Sequence, residues 1–403
     1  MFPKLRFKEF DENWKEVTLK NCITSIDSGW SPQCESYPAN SSEWGVLKTT
    51  SVDWSGFNSS FNKKLPLELT PRKEIEVKPL DILVTRAGPT ERVGVISVVP
   101  HSVRSKLMIS DKLIRLKSNE ENNPLFLGIS LSSVKCQNQL QSKTSGLAKS
   151  QTNISQKILG EVLLKLPSKE EQTKIASFLS AVDEKISQLT KKHELLSQYK
   201  QGMMQKLFSQ QLRFKADDGS EFREWEEKEL KDIAEINPKS KKLPESFIYI
   251  DLESVEKGQL LLQKNIELQD APSRAQRLLA KGDVLFQMVR PYQQNNYYFN
   301  LSGEYVASTG YAQIRTKLDS KFIYYALHEK TFLDEVMNRC TGTSYPAINS
   351  SDLSSIEILI PCLEEQTKIA NFLSSIDQKI EVVAQQIEQA KQWKKGLLQQ
   401  MFI

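Results

Sequence analysis

At 403 residues and a net charge of +4, the chain is too long for one ordinary core and too weakly charged to read as a stand-alone polyanion binder. Its five scattered cysteines, with no CxxC among them, exclude a disulfide framework and a zinc site of common spacing. The amino terminus MFPKLRFKEF lacks the apolar run of a signal peptide, and IEILIPCL from Ile356 is too short to span a bilayer, so a cytoplasmic protein without membrane contact is expected.

The chain opens on LRFK at Leu5, with Trp14 and Leu19 following. The short β-branched runs IEVKPLDILV, RVGVISVV and DKLIRLK, separated by Gly, Pro, Asn and Ser clusters, predict a mixed α/β domain rich in loops over residues 1–168. At Glu170 the pattern changes. EEQTKIASFLSAVDEKI begins a run in which Ile175, Leu179, Val182, Ile186, Leu189, His193, Leu196, Lys200, Met203 and Leu207 alternate spacings of four and three. No proline interrupts Pro167 to Gln210, which predicts a helix over 169–208 entered at a proline.

LRFK then returns at Leu212, with Trp225 and Leu230 following after a longer gap, and GDVLFQMV and KFIYYAL predict a second mixed domain over 209–361. EEQTKIANFLSSIDQKI from Glu364 repeats the earlier phrase 194 residues on, thirteen of seventeen letters being identical. It starts a second seam, Ile369, Leu373, Ile376, Ile380, Val383, Ile387, Ala390, Lys394, Leu397 and Met401, predicting a helix over 362–403. A repeat this extensive sets the architecture. The heptad spacing holds for about five heptads, which is the signature of a coiled coil, and each rod runs roughly 60 Å. The expected fold is α/β, with two mixed domains joined by a long antiparallel two-helix coiled coil and related by a pseudo-two-fold internal repeat. Lys200 and Lys394 interrupt the apolar seam, either by snorkelling outward at its edge or by fixing register.

Catalytic chemistry leaves little trace. His101, His193 and His328 lack metal-ligand spacing, and neither GxG nor GxxxxGK[ST] occurs. NPLF at Asn123 lacks the second proline of an amino-methyltransferase tetrad and reads as a turn before an apolar helix. DLESVEK from Asp251 has no specificity for a nuclease. Positive charge gathers in residues 1–168, while residues 209–363 are acidic and 364–403 neutral.

The duplicated helix entered through Leu-x-Pro or Ile-Pro and EEQTKIA, the W-x4-L openings after LRFK, the segments DILVTRAG and GDVLFQMVRP, and TGTSYPAINSSDLSSIEILIP from Thr341 together resemble the specificity subunit of type I restriction-modification systems. The resemblance covers essentially the whole chain. It implies a non-catalytic DNA-recognition subunit in which each domain is a target-recognition domain for one half of a bipartite double-stranded DNA sequence. The helices would set the unread spacer and dock two methyltransferase (modification) subunits that bring S-adenosylmethionine and methylate adenine. Restriction subunits, using ATP and Mg, would complete the nuclease, and no cofactor or metal would sit on this chain. Two major-groove sites one helical turn apart lie about 34 Å from each other, a distance that 60 Å rods can straddle.

Base readout requires Arg, Lys, Asn, Gln, Ser or Thr on exposed loops. The candidates in the first domain are Arg86, Thr90 and Arg92 in TRAGPTERVG with Lys143, Thr144, Ser145, Lys149 and Gln151 in KTSGLAKSQ. In the second they are Arg290, Gln293, Gln294, Asn295 and Asn296 in RPYQQNNYY with Thr341, Thr343, Ser344 and Tyr345 in TGTSYP. The rival expectation is a coiled-coil adaptor that joins two protein-binding domains without touching DNA.

Overall fold

The computed structural model describes residues 3–144, 152–239 and 242–402. The chain divides into two compact units, residues 1–188 with 386–403, and residues 189–385. Each unit thus combines one mixed domain with about half of each long helix, Lys169–Phe208 and Leu363–Met401.

In the first unit an antiparallel sheet orders Ile23–Ser28, Leu113–Ser118, Ile82–Thr85 and Ile96–Val98, and a smaller sheet orders Leu107–Met108, Gly45–Leu47 and Asn62–Lys64. The strand Ile82–Thr85 is buried on both faces, which is why it reads as an unbroken apolar run rather than an alternating one. In the second unit Ala234–Ile236, Tyr311–Thr316, Val284–Gln287 and Tyr297–Tyr298 form the corresponding sheet. Its second sheet orders Lys264–Glu267, Ser246–Ile250, Tyr305–Ser308 and Ala275–Leu278, with Ser246–Ile250 and Tyr305–Ser308 parallel.

The two central strands start alike. Asp81 and Asp283 are both buried where the strand begins. Asp81 accepts from the backbone N–H of Lys78 at 2.8 Å, and Asp283 from that of Ala280 at 2.7 Å. Asp283 also holds Arg315 through two bonds of 2.8 Å. The preceding residue is left-handed in both, Leu80 at φ 66° and Gly282 at φ 95°, so the leucine accepts a conformation that glycine adopts freely.

Each long helix is entered from a short antiparallel pair, Lys15–Thr18 with Leu163–Leu166 and Glu226–Glu229 with Glu357–Ile360. The phrase EEQ then locks the entry. Glu171, 1% exposed, accepts from Arg6 Nε and Nη2, each at 2.7 Å, and from Trp14 Nε1 at 3.4 Å. Glu365, fully enclosed, accepts from Arg213 at 3.2 and 2.9 Å and from Trp225 Nε1 at 3.1 Å. Gln172 and Gln366 accept from the backbone N–H of Asn123 and Asp319 and donate to the carbonyls of Pro167 and Pro361. Asn123 and Asp319 in turn cap the helices Pro124–Leu131 and Ser320–Ala326 with their side chains. NPLF is therefore a helix start, as its residues suggested.

The seam positions of both helices are all buried or half-buried. The helices pack antiparallel, and one set of contacts is made twice. Lys200 reaches Asp377 at 2.6 Å in the second unit, and Lys394 reaches Asp183 at 2.5 Å in the first. The seam lysines therefore make specific interhelical pairs, favouring the register reading over simple snorkelling. Phe208 packs on Trp225 and Phe322 with centroids 6.3 and 5.6 Å away. Its repeat counterpart Phe402 packs on Trp14 and Phe126 at 6.4 and 5.3 Å. A buried aromatic of this size is among the largest single contributors to a core.

Candidate nucleic-acid interface

After the strand Ile82–Thr85 the chain makes Arg86 and the short strand Ala87–Gly88, which pairs antiparallel with Thr152–Asn153. A 3-10 turn, Thr90–Arg92, follows. The pairing brings together two segments far apart in sequence. Arg86 Nε donates to Asn153 Oδ1 at 3.3 Å, and the hydroxyls of Thr90 and Thr152 lie 2.7 Å apart. Lys143 and Thr144 end the helix Val134–Ser142, and Thr144 Oγ1 donates to the Gln141 carbonyl at 2.9 Å. Ser145, Lys149 and Gln151 lie outside the described residues.

Arg92 has an internal role. Its Nη1 meets Asp53 at 2.6 Å, and its Nη2 donates to the carbonyls of Val52 at 2.7 Å and Thr49 at 3.3 Å. These contacts pin a hairpin, Val52–Asp53 paired with Gly56–Phe57, whose tip carries Trp54 at 51% exposure.

The second unit repeats the arrangement with other side chains. Val289 and Arg290 meet Ala347 and Pro346 where Ala87 and Gly88 meet Asn153 and Thr152, and the Arg290 N–H donates to the Pro346 carbonyl at 2.7 Å. Thr341 and Ala347 exchange two backbone bonds, at 2.9 and 3.0 Å, which closes the turn that displays Thr343, Ser344 and Tyr345. The 3-10 turn Pro291–Gln293 takes the place of Thr90–Arg92. Gln293 Oε1 accepts from Gln287 at 2.9 Å, and Asn296, 1% exposed, accepts from the backbone N–H of Gln287 at 2.8 Å. Asn295 Oδ1 accepts from the Lys257 N–H at 3.0 Å. It thereby holds the hairpin Val255–Glu256 with Gln259–Leu260, as Arg92 holds its counterpart. Asn296 is thus enclosed and Arg92 bonded to its own domain, whereas Thr341, Thr343, Ser344, Tyr345, Thr90 and Gln293 are exposed.

Residue-type reasoning passed over the two hairpin tips, Trp54 and Lys257. The signal was present as SVDWSG and SVEKG, one shared phrase with a turn glycine, but strands of two residues have no periodicity to detect. DLESVEK, weighed above for nuclease chemistry, is this hairpin's approach: Asp251 accepts from the N–H of Glu253 and from the Ser254 hydroxyl.

Beside these loops, a cleft of about 660 Å³ in the second unit is lined by Lys200, Gln201, Lys257, Gln294, Tyr325 and His328, among others. The Tyr325 hydroxyl donates to Asp377 at 2.7 Å, and burial pushes its pKa up. Burial likewise pushes His328 below the usual imidazole range, while one ring nitrogen lies 2.7 Å from the Tyr324 carbonyl. No group of three or more His, Cys, Asp or Glu is arranged to hold a metal among the described residues, and no described helix is long and apolar enough to cross a membrane.

Comparison with known proteins places these loops in context. A family model described as "Type I restriction modification DNA specificity domain" matches residues 37–197 and again 223–392. The specificity subunit of the type I restriction enzyme EcoEI of Escherichia coli is 40% identical over 171 residues, spanning 42% of this chain and 29% of that subunit. The MjaVIII specificity subunit of Methanocaldococcus jannaschii is 28% identical over 81% of this chain and 79% of its own length. Among solved structures, a type I restriction-modification S subunit from M. genitalium superposes with a TM-score of 0.63 at 17% identity, covering 100% of this chain and 99% of that one.

Proposed function

The chain belongs to the family of type I restriction-modification DNA specificity domains, and from that premise we propose that it reads a bipartite DNA sequence, one half with each mixed domain. The observation that carries this reading is a repeated frame with unrepeated loops. Asp81 and Asp283, the strands they start, and the paired segments beyond them recur. What stands on that frame differs, Arg86, Thr90 and Thr152 in one domain and Arg290, Gln293 and Tyr345 in the other. Two sequence-reading surfaces on one scaffold would be built in this way, because base contacts specify while the frame only positions.

The helices, on this reading, set the unread gap and present two equivalent surfaces to two modification subunits. Those partners bring S-adenosylmethionine and transfer methyl groups to adenine, and restriction subunits add ATP- and Mg-dependent cleavage. This chain contributes recognition and carries none of the chemistry. The weak net charge fits a subunit whose partners supply much of the phosphate contact.

The test is a gel shift of the purified complex with a duplex carrying the host's methylated bipartite motif and with a scrambled duplex of equal length. Binding of the first at least about a thousandfold tighter is expected, in the usual range of specific over non-specific recognition. Equal affinity for the two, or none for either, would leave the adaptor reading in its place.

A further inference from the structure

Arg290 lacks the carboxylate partner that most described arginines of the second domain have, and shares an enclosed, unpartnered Nε with Arg277. Arg213, Arg315 and Arg339 each meet a carboxylate, those of Glu365, Asp283 and Glu335. Among the described residues no carboxylate lies within ion-pair distance of Arg290. Its guanidinium instead stacks 4.2 Å from the ring centroid of Tyr345, itself 64% exposed on the turn closed by Thr341 and Ala347. Its Nε is enclosed without a hydrogen-bond partner, and among the described residues no protein acceptor is bonded by its two terminal nitrogens. The backbone is unusual as well, left-handed at φ 55° and ψ 53°, where the first domain has Gly88. A non-glycine residue in that region is strained, and such strain persists where the surroundings over-determine it, commonly at functional positions.

We propose that Arg290 reads a guanine in the half-site of the second domain, with Tyr345 as the positioning residue that fixes its plane. This deepens the recognition reading above and rests on it. A charged group held half-buried with no counter-charge is matched by an acceptor from outside. With Nε enclosed, that acceptor is met end-on by the two terminal nitrogens, two coplanar donors at a set spacing. The O6 and N7 atoms of guanine present the matching pair of acceptors in the major groove. A phosphate would be served as well by a lysine on a flexible stem, with no need for a stacked plane on a strained backbone.

The experiment is selection of bound sites from a random duplex library by the full chain co-purified with its modification subunits. The wild type is expected to enrich one bipartite motif with a guanine in one half. R290A should lose the preference at that single base pair, keep the other half-site unchanged, and bind the wild-type site about ten- to a hundredfold more weakly. R290K should behave like R290A, because its point charge lacks the fork, and it carries the same test if R290A fails to fold. Y345A should blur the same base pair, and Y345F should retain the preference because it keeps the ring. Enrichment of an unchanged motif by R290A or R290K overturns the proposal. So does a loss uniform across all sequences with the salt slope reduced by about one, which marks a phosphate contact. If the wild type enriches no bipartite motif, the recognition reading itself fails, and that outcome is distinct from the others.

Discussion

Glu365 and its counterpart Glu171 have a role that their positions in the sequence only half suggest. An acidic pair in the first turn suits the positive end of the helix dipole, and exposed Glu170 and Glu364 fit that account. The second glutamate of each pair is buried and binds Arg and Trp from the LRFK and W-x4-L openings. Both partners were legible as repeated letters; their meeting was not, because Arg213 and Glu365 are separated by 152 residues and no local periodicity relates them. Replacing Glu365 with Gln removes the charge from two hydrogen bonds to Arg213. The expected loss is about 2 kcal/mol, in the range for hydrogen bonds to a charged partner, read as a lower urea midpoint at unchanged slope. A loss below about 0.5 kcal/mol would mean that the clamp is incidental. At the loops, residue type marked exposed polar segments but not the contacts their side chains make within the protein. Arg92 and Asn295, both candidates for reading bases, each bond to a hairpin of their own domain, a contact that depends on partners no spacing reveals.

The long helices were the most legible elements. Their heptads, prolines and absent breaks marked Lys169–Phe208 and Leu363–Met401 closely, because a sustained 3.5-residue period has few alternatives. The pairing of Lys200 with Asp377 and of Lys394 with Asp183 was harder to see, since the aspartates lie off the seam. Partly exposed pairs of this kind contribute at most about 1 kcal/mol, so their value is in selecting one register among several. Strands were legible where apolar runs were long, as at Ile82–Thr85, and invisible at two-residue hairpins. On the recognition reading, inserting four residues near Leu189 adds about one turn and shifts the seam by only half a residue. The expected result is a bipartite motif with both halves unchanged and a different unread gap, measured by site selection or methylation mapping. A change in the half-site bases themselves would show that the helices do not act as a spacer.

Across the whole molecule, a repeated frame carries two different sets of loops, and that contrast organises the rest. The repeat explains why one chain holds two buried Glu–Arg–Trp clamps, two aromatic plugs at Phe208 and Phe402, and two interhelical ion pairs. It also explains why the fold was readable from sequence while the target bases are not. Frame residues recur within the chain and can be compared, whereas Arg290 and Gly88 occupy matching places with nothing chemically in common. The central claim, that this chain selects a bipartite DNA sequence for modification, is tested most directly by mapping adenine methylation genome-wide with the gene present and with it deleted, the modification gene being left intact. Methylation of one bipartite motif should disappear on deletion and return on complementation; an unchanged methylation map would rule that selection out.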